Sequence, residues 1–175
     1  MKTVLLITFY FPPYNHAGTQ RVLKFARYLP EFGYMPKVYT CGNMPWKSFD
    51  TETYERDVRG KIDVYATNAP RFEKKQSLTN PANIINRIFL RMESILFEDR
   101  LDWALGTRKT ALQYARKINA SVVVTSGPPH SVHFLGYYCK KHLGIPWCMD
   151  LRDPITVYAP QGEMHFGKRC IQHIR

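Results

Sequence analysis

Val4-Leu5-Leu6-Ile7, four apolar residues in unbroken succession, runs into the loop Tyr10-Phe11-Pro12-Pro13-Tyr14-Asn15-His16-Ala17-Gly18, and the reading of this stretch decides the fold. A strand with one face in water alternates apolar and polar residues. A continuous apolar run instead suits a strand covered by helices on both faces, as in the middle of a parallel sheet. Beyond the loop, Val22, Phe25, Ala26 and Leu29 recur at helical spacing, with Arg21, Lys24 and Arg27 on other faces, and Gly33 supplies a C-terminal stop.

Working outward, Lys37-Val38-Tyr39-Thr40 and Ile62-Asp63-Val64-Tyr65-Ala66 read as further strands, separated by an irregular polar insert from Asn43 to Arg59. A long helix is expected from Pro81 to Glu98, with Ile85, Ile88, Phe89, Met92, Ile95 and Leu96 in one stripe and Leu90 and Phe97 outside it. Another helix is expected from about Gly106 to Ile118. Val122-Val123-Val124 repeats the doubly buried strand pattern, Ser131 to Leu143 returns as a helix closed by Gly144, and Trp147-Cys148-Met149 enters a last strand delivering Asp150-Leu151-Arg152-Asp153-Pro154. The order βαβ, β, then α, β, α, β implies an α/β protein: a Rossmann-like three-layer domain with a mostly parallel sheet, spanning residues 1–154 and followed by a tail, 155–175.

The bulk numbers fit one domain, since 175 residues with 45% hydrophobic content supply a full core. Lys and Arg outnumber Asp and Glu by 25 to 14, a net charge of +11 that attracts phosphates, nucleotide diphosphates, acidic lipid surfaces or nucleic acid. Cys41, Cys139, Cys148 and Cys170 show no paired metal-site spacing and read as reduced, small buried hydrophobes in a cytosolic protein. Lys2 and the apolar run after it imitate a signal peptide, but the run ends in Pro12-Pro13 without a small-residue cleavage site. No stretch of ~18 apolar residues suggests a membrane span.

Ligands of open parallel sheets bind beyond the carboxyl ends of the strands, so residues 9–21, 125–133 and 150–154 should share one crevice. Gly18, Thr19 and Arg21 open a helix, where backbone N–H groups and the positive dipole end favour an anion. Thr125-Ser126-Gly127-Pro128-Pro129-His130-Ser131-Val132-His133 brings two imidazoles and several hydroxyls to a rigid turn, with His130 placed to donate to a sugar hydroxyl or phosphate. Asp150 and Asp153 flank Arg152, which can pair with a carboxylate. Asp99, Asp102 and Trp103 read as a helix junction. No nucleophile elbow, Walker loop or metal-ligand spacing is present.

Phe11-Pro12-Pro13, Ala17-Gly18 with Arg21, Ser126-Gly127-Pro128-Pro129-His130-Ser131, and Gly144-Ile145-Pro146-Trp147 with Asp150-Leu151-Arg152-Asp153-Pro154 occur in an order that resembles the amino-terminal domain of GT-B glycosyltransferases of the family-four, group-one type. The resemblance implies one half of a GT-B architecture: an acceptor-binding domain that faces a carboxyl-terminal donor-binding domain, in cis or in trans. It implies a nucleotide-sugar as co-substrate, no other cofactor, no metal, retention of anomeric configuration, and no turnover by this chain alone. Gly18, with Thr19 and Arg21 beside it, would approach the donor diphosphate or the reacting sugar. His130, flanked by Ser126, Gly127 and Ser131, would contact the transferred sugar, and Arg152 and Asp153 would shape the cleft floor. Acceptors of the family include glycans and lipid-linked sugars, and the basic charge with Leu90 and Phe97 would suit peripheral contact with an anionic inner membrane surface.

Two rivals differ in class. A noncatalytic basic Rossmann-like module could hold a nucleotide, nucleic acid or partner protein, although basic residues spread over many helices do not make a nucleic-acid surface, and none is expected to bind. A dinucleotide-dependent oxidoreductase needs a glycine fingerprint after the first strand, where this loop has one glycine.

Overall fold

The computed structural model describes residues 1–44, 48–69 and 100–152. The expected helix at 81–98, Leu90, Phe97, Asp99, Asp153 and the tail 155–175 lie outside them. Five strands, β1 (Lys2–Thr8), β2 (Tyr34–Cys41), β3 (Asp63–Thr67), β4 (Val122–Gly127) and β5 (Trp147–Leu151), form one parallel sheet in the order β3-β2-β1-β4-β5. The chain begins in the middle, winds out to β3, then returns past β1 to β4, so β1 and β4 border the topological switch point. The continuous apolar runs mark these two adjacent strands: Val4, Leu5, Leu6, Ile7 and Val123 are buried.

Helix α1 (Thr19–Tyr28) covers one face with Val22, Leu23 and Ala26 against Val4, Leu6 and Val38. It tightens into a 3-10 turn, Leu29–Phe32, that ends on Gly33 at φ 81°, a left-handed conformation suited to glycine. Phe25, expected on the buried stripe, stays 38% exposed, its place taken by Leu23. The opposite face is covered by α3 (Leu101–Lys117) and α4 (Val132–Leu143), whose Trp103, Ala111, Tyr114, Ala115, Leu135 and Cys139 pack with Leu5, Ile7, Tyr39 and Val123.

Three expectations change. Helix α3 starts five residues before Gly106, because Leu101, Trp103 and Ala104 are buried, with Trp103 edge-on to Phe9 at 5.3 Å. That burial outweighs the local cost of a mid-helix glycine, about 1 kcal/mol. The insert is not wholly irregular: α2 (Thr51–Thr53), capped by Asp50 accepting from Thr53 N–H at 2.9 Å, continues as a π-helical turn, Tyr54–Val58. Cys148 is exposed, unlike buried Cys41 and Cys139. Trp147 packs against α4, so strand alternation turns Cys148 to the other face of the edge strand.

Among the described residues no helix is long and apolar enough to cross a membrane.

Candidate functional site

Three loops leave the carboxyl ends of the central strands together. Thr8, Ser126 and Asp150 are register partners across β1, β4 and β5, so the chain segments after them emerge side by side.

The loop after β1 is pinned from both sides. Thr40 Oγ1 donates to Phe9 O at 3.0 Å, and the Tyr14 hydroxyl donates to Gly42 O at 2.7 Å while accepting from Met44 N–H at 3.1 Å. Asn15 N–H donates to Ser48 O, Asp50 N–H donates to Pro13 O, and Tyr14 and Phe49 form an antiparallel bridge. The polar insert thus buttresses the loop that carries the candidate site residues.

Within that loop, His16 stacks on Tyr10 with ring centroids 3.9 Å apart, and its Nδ1 accepts the Gly18 N–H at 3.0 Å. Neutral His16 therefore carries its proton on Nε2. Burial and then the nearby Arg152 guanidinium hold its pKa below the ordinary value. Gly18 caps α1 at φ −72°, so its conformation does not require glycine. A side chain there would instead crowd His16, whose Nδ1 would lie 3.2 Å from an added Cβ. Thr19 is buried; its N–H donates to His16 O and its hydroxyl to Tyr14 O at 3.1 Å. Gly18 and Thr19 thus use these donors to shape the loop itself.

Arg21 reaches across the switch point to form an ion pair with Asp150 Oδ1, and Ser126 Oγ donates to Asp150 Oδ2 at 2.8 Å. Sequence spacing offered Arg152 as the partner of the local carboxylates. The structure gives Asp150 to Arg21, 129 residues away, and leaves exposed Arg152 near enough to His16 for its charge to be felt there. One carboxylate therefore ties α1, β4 and β5 together at the crevice.

The loop after β4 brings His130 and His133 together over Gly127. Their rings lie 27° from parallel with centroids 5.7 Å apart. A Cβ on Gly127 would lie 3.1 Å from His130 Nδ1 and 3.2 Å from His133 Nε2, so a side chain there would crowd both imidazoles. His133 Nδ1 lies 2.7 Å from Thr125 Oγ1. Burial, reinforced by the neighbouring His130 and opposed by Asp150, pushes its pKa down to about 4. Ser131 is fully buried and caps α4.

The structure thus brings Gly18, Thr19, Arg21, Ser126, Gly127, His130, Ser131 and Arg152 to the same end of the sheet. Sequence reasoning passed over His16 and did not pair Asp150 with Arg21. The signal available for His16 was its place two residues before a helix-opening glycine, where an Nδ1 acceptor can cap a backbone N–H. Among the described residues no group of three or more His, Cys, Asp or Glu side chains is arranged to hold a metal ion.

No protein-family model and no curated protein matches the sequence. Among solved structures, MurG of Acinetobacter baumannii superimposes with a TM-score of 0.52 at 13% identity, over 91% of this chain and 37% of that one. The carboxyl-terminal domain of a hydrogenase from Pyrococcus furiosus gives 0.49 at 14% identity, over 86% and 91% of the two chains. A glycosyltransferase from Rickettsia africae gives 0.47 at 17% identity, over 91% and 32%. The fold is that of a GT-B glycosyltransferase-like domain, and the chain spans little more than a third of the length of MurG.

Proposed function

We propose that this chain is the acceptor-side domain of a nucleotide-sugar-dependent glycosyltransferase, working against a donor-binding domain supplied in cis or in trans. The observation that carries the reading is the convergence of the His16–Arg21, Gly127–His130 and Asp150–Arg152 segments at the β1/β4 switch point of a sheet whose fold is GT-B-like. That crevice is where an open α/β sheet holds its ligands.

His130 contacts the transferred sugar and is the group proposed to be catalytic. The Gly18 loop approaches the diphosphate or the reacting sugar, with Arg21 and Arg152 supplying positive charge. Asp153, which lies outside the described residues, is proposed with Arg152 for the cleft floor on the sequence resemblance alone. The chemistry proposed is transfer to a glycan or lipid-linked acceptor with retention and without metal, and the chain alone does not turn over. The net charge of +11 supports contact with anionic lipid headgroups at the inner membrane face.

The test is amide chemical-shift mapping of the chain with UDP- and GDP-linked sugars and with short-chain lipid-diphosphate sugars, each added separately. Shifts at Gly18, Gly127 and His130 that disappear in His130→Ala are expected with the lipid-diphosphate sugars. An absence of shifts at millimolar ligand, or shifts confined to the amino ends of the strands, overturns the reading.

A further inference from the structure

Among the described residues, the face of the sheet that carries α1 is left open beside β4. The right-handed crossover from β4 to β5 places α4 on the opposite face, while α1 lies against β1 and β2. Strands of an all-parallel sheet are ordinarily covered on both sides. Here Val122 and Val124 of β4 are only partly buried, and Phe25 of α1 is 38% exposed. Between them runs an apolar groove of about 300 Å3, floored by Val4, Leu6, Val122 and Val124 and walled on one side by Phe25 and Leu29. Tyr34, the first residue of β2, marks its amino end.

Both sides of the groove change character in the same direction. Leu29, Phe25 and Arg21 stand four residues apart, one above another along α1 and the turn that continues it, so hydrocarbon gives way to a guanidinium at the carboxyl edge of the sheet. Val122, Val124 and Ser126 alternate to the same face of β4 and end at a hydroxyl. The two rows meet at Asp150, which holds both Arg21 and Ser126. The cation is the more exposed member of that ion pair, and exposed Arg152 follows two residues after Asp150.

We propose that this groove binds the hydrocarbon chain of a single-chain lipid phosphate, with the chain over Val122 and Val124 and the phosphate at Arg21, on the border of the candidate site. The apolar length suits the chain and the basic end suits an anionic head. A second copy of this protein does not match that polarity, since two molecules of net charge +11 repel. Asp150 engages Arg21 through one nitrogen, Nη2, of a guanidinium that carries five N–H donors, so the fork can receive phosphate oxygens beside the carboxylate. The groove is at the small end of the range for ligand pockets, roughly 300–1,000 Å3. The inference deepens the proposed function and rests on it only for calling the lipid an acceptor.

The test uses the whole 175-residue chain with 13C-labelled valine and leucine methyls, titrated with ethyl, butyl, hexyl and octyl phosphate below the concentrations at which they form micelles. Octyl phosphate is expected to move the Val122, Val124 and Leu29 methyl signals. Affinity should rise by up to roughly fourfold for each CH2 that enters the groove, the factor given by full burial of a methylene. Arg21→Ala should weaken the whole series alike and keep the chain-length dependence. Phe25→Gln, on the exposed flank, and Val124→Thr, which keeps the shape, should each leave octyl phosphate binding little better than ethyl phosphate, and either variant decides should the other fail to fold. Three results overturn the proposal: affinity independent of chain length, groove methyls unmoved by octyl phosphate, or groove methyls in contact with another segment of the chain or a second copy before any lipid is added. No probe carries a sugar, so groove binding without a response to sugar substrates removes only the glycosyltransferase reading, and the reverse result removes only this one.

Discussion

Arg21, in the first turn of α1, and Asp150, near the end of β5, are joined as an ion pair across the carboxyl edge of the sheet, with Ser126 on the second carboxylate oxygen. The arginine side chain is 43% exposed and the aspartate 13%, so the two ends of the pair are solvated differently. Replacing Arg21 by Ala leaves a carboxylate that still holds Ser126 and meets some water. The expected loss of stability is small, about 1 kcal/mol or less, and shrinks with added salt. Asp150→Ala removes both bonds and leaves the Ser126 hydroxyl without its acceptor, at an expected cost of about 1–2 kcal/mol. Urea unfolding of the two variants checks the order. Arg21→Ala costing more than Asp150→Ala would show that the carboxylate is not the hub.

Gly136, in the middle of α4, is where helix propensity and packing give opposite predictions. Alanine is favoured over glycine in a helix interior by about 1 kcal/mol. Here an added Cβ would lie 2.2 Å from Trp147 Nε1, 2.7 Å from Trp147 Cε2 and 2.6 Å from Thr125 Cγ2, all well inside contact distance. The indole cannot move without breaking its bond to Thr125. Packing wins, and Gly136→Ala is expected to destabilise by a net of about 2 kcal/mol or more. Thermal unfolding measures the loss, and Trp147 emission should shift as the indole leaves its place. A stabilised Gly136→Ala would mean that α4 stands farther from β5 than described.

The doubly wound sheet was legible because burial of β1 and β4 on both faces writes itself into composition: Val4 to Ile7 and Val122 to Val124 leave no room for polar alternation. Topology then placed the crevice, since the loops after β1, β4 and β5 follow from strand order alone. The partner of Asp150 was not legible. Ion pairing depends on which charges the fold brings into reach, and Arg21, 129 residues away, carries no local mark, whereas Arg152 two residues on suggested itself by proximity. The start of α3 was hidden for a related reason, because Trp103 is held by contacts with Phe9 and Thr67 that no local window contains. The Gly-Pro-Pro turn drew attention to His130, but the line from Trp147 through Thr125 to His133 joins three elements and exists only once they pack.

Thiol reactivity should divide the cysteines. Burial pushes Cys41 and Cys139 up to about 11, so at pH 8 both are thiols without solvent access. Cys148 is exposed on the edge strand. In a Cys170→Ser background, Ellman's reagent is expected to modify Cys148 rapidly and the other two only after denaturant is added. Fast reaction of Cys41 would instead indicate that the end of β2 opens, releasing the Asn43 contacts that hold it to Ala69.

His133 should give stability a pH dependence separable from that of the carboxylates. Its folded pKa is depressed to about 4, against an ordinary value of 6.5, so the unfolded chain takes up a proton that the folded chain refuses. Stability from this group is therefore full above pH 6.5 and falls as the pH drops toward 4. The total is at most about 3.5 kcal/mol, from roughly 1.4 kcal/mol for each pKa unit. Most carboxylates are still ionised between pH 6.5 and 5, so the upper part of this window belongs to histidine. His133→Phe removes the titration and should flatten the stability profile in that interval. Urea midpoints at pH 7, 6 and 5 for the two proteins supply the measurement. Parallel profiles would show that His133 is readily protonated in the folded state.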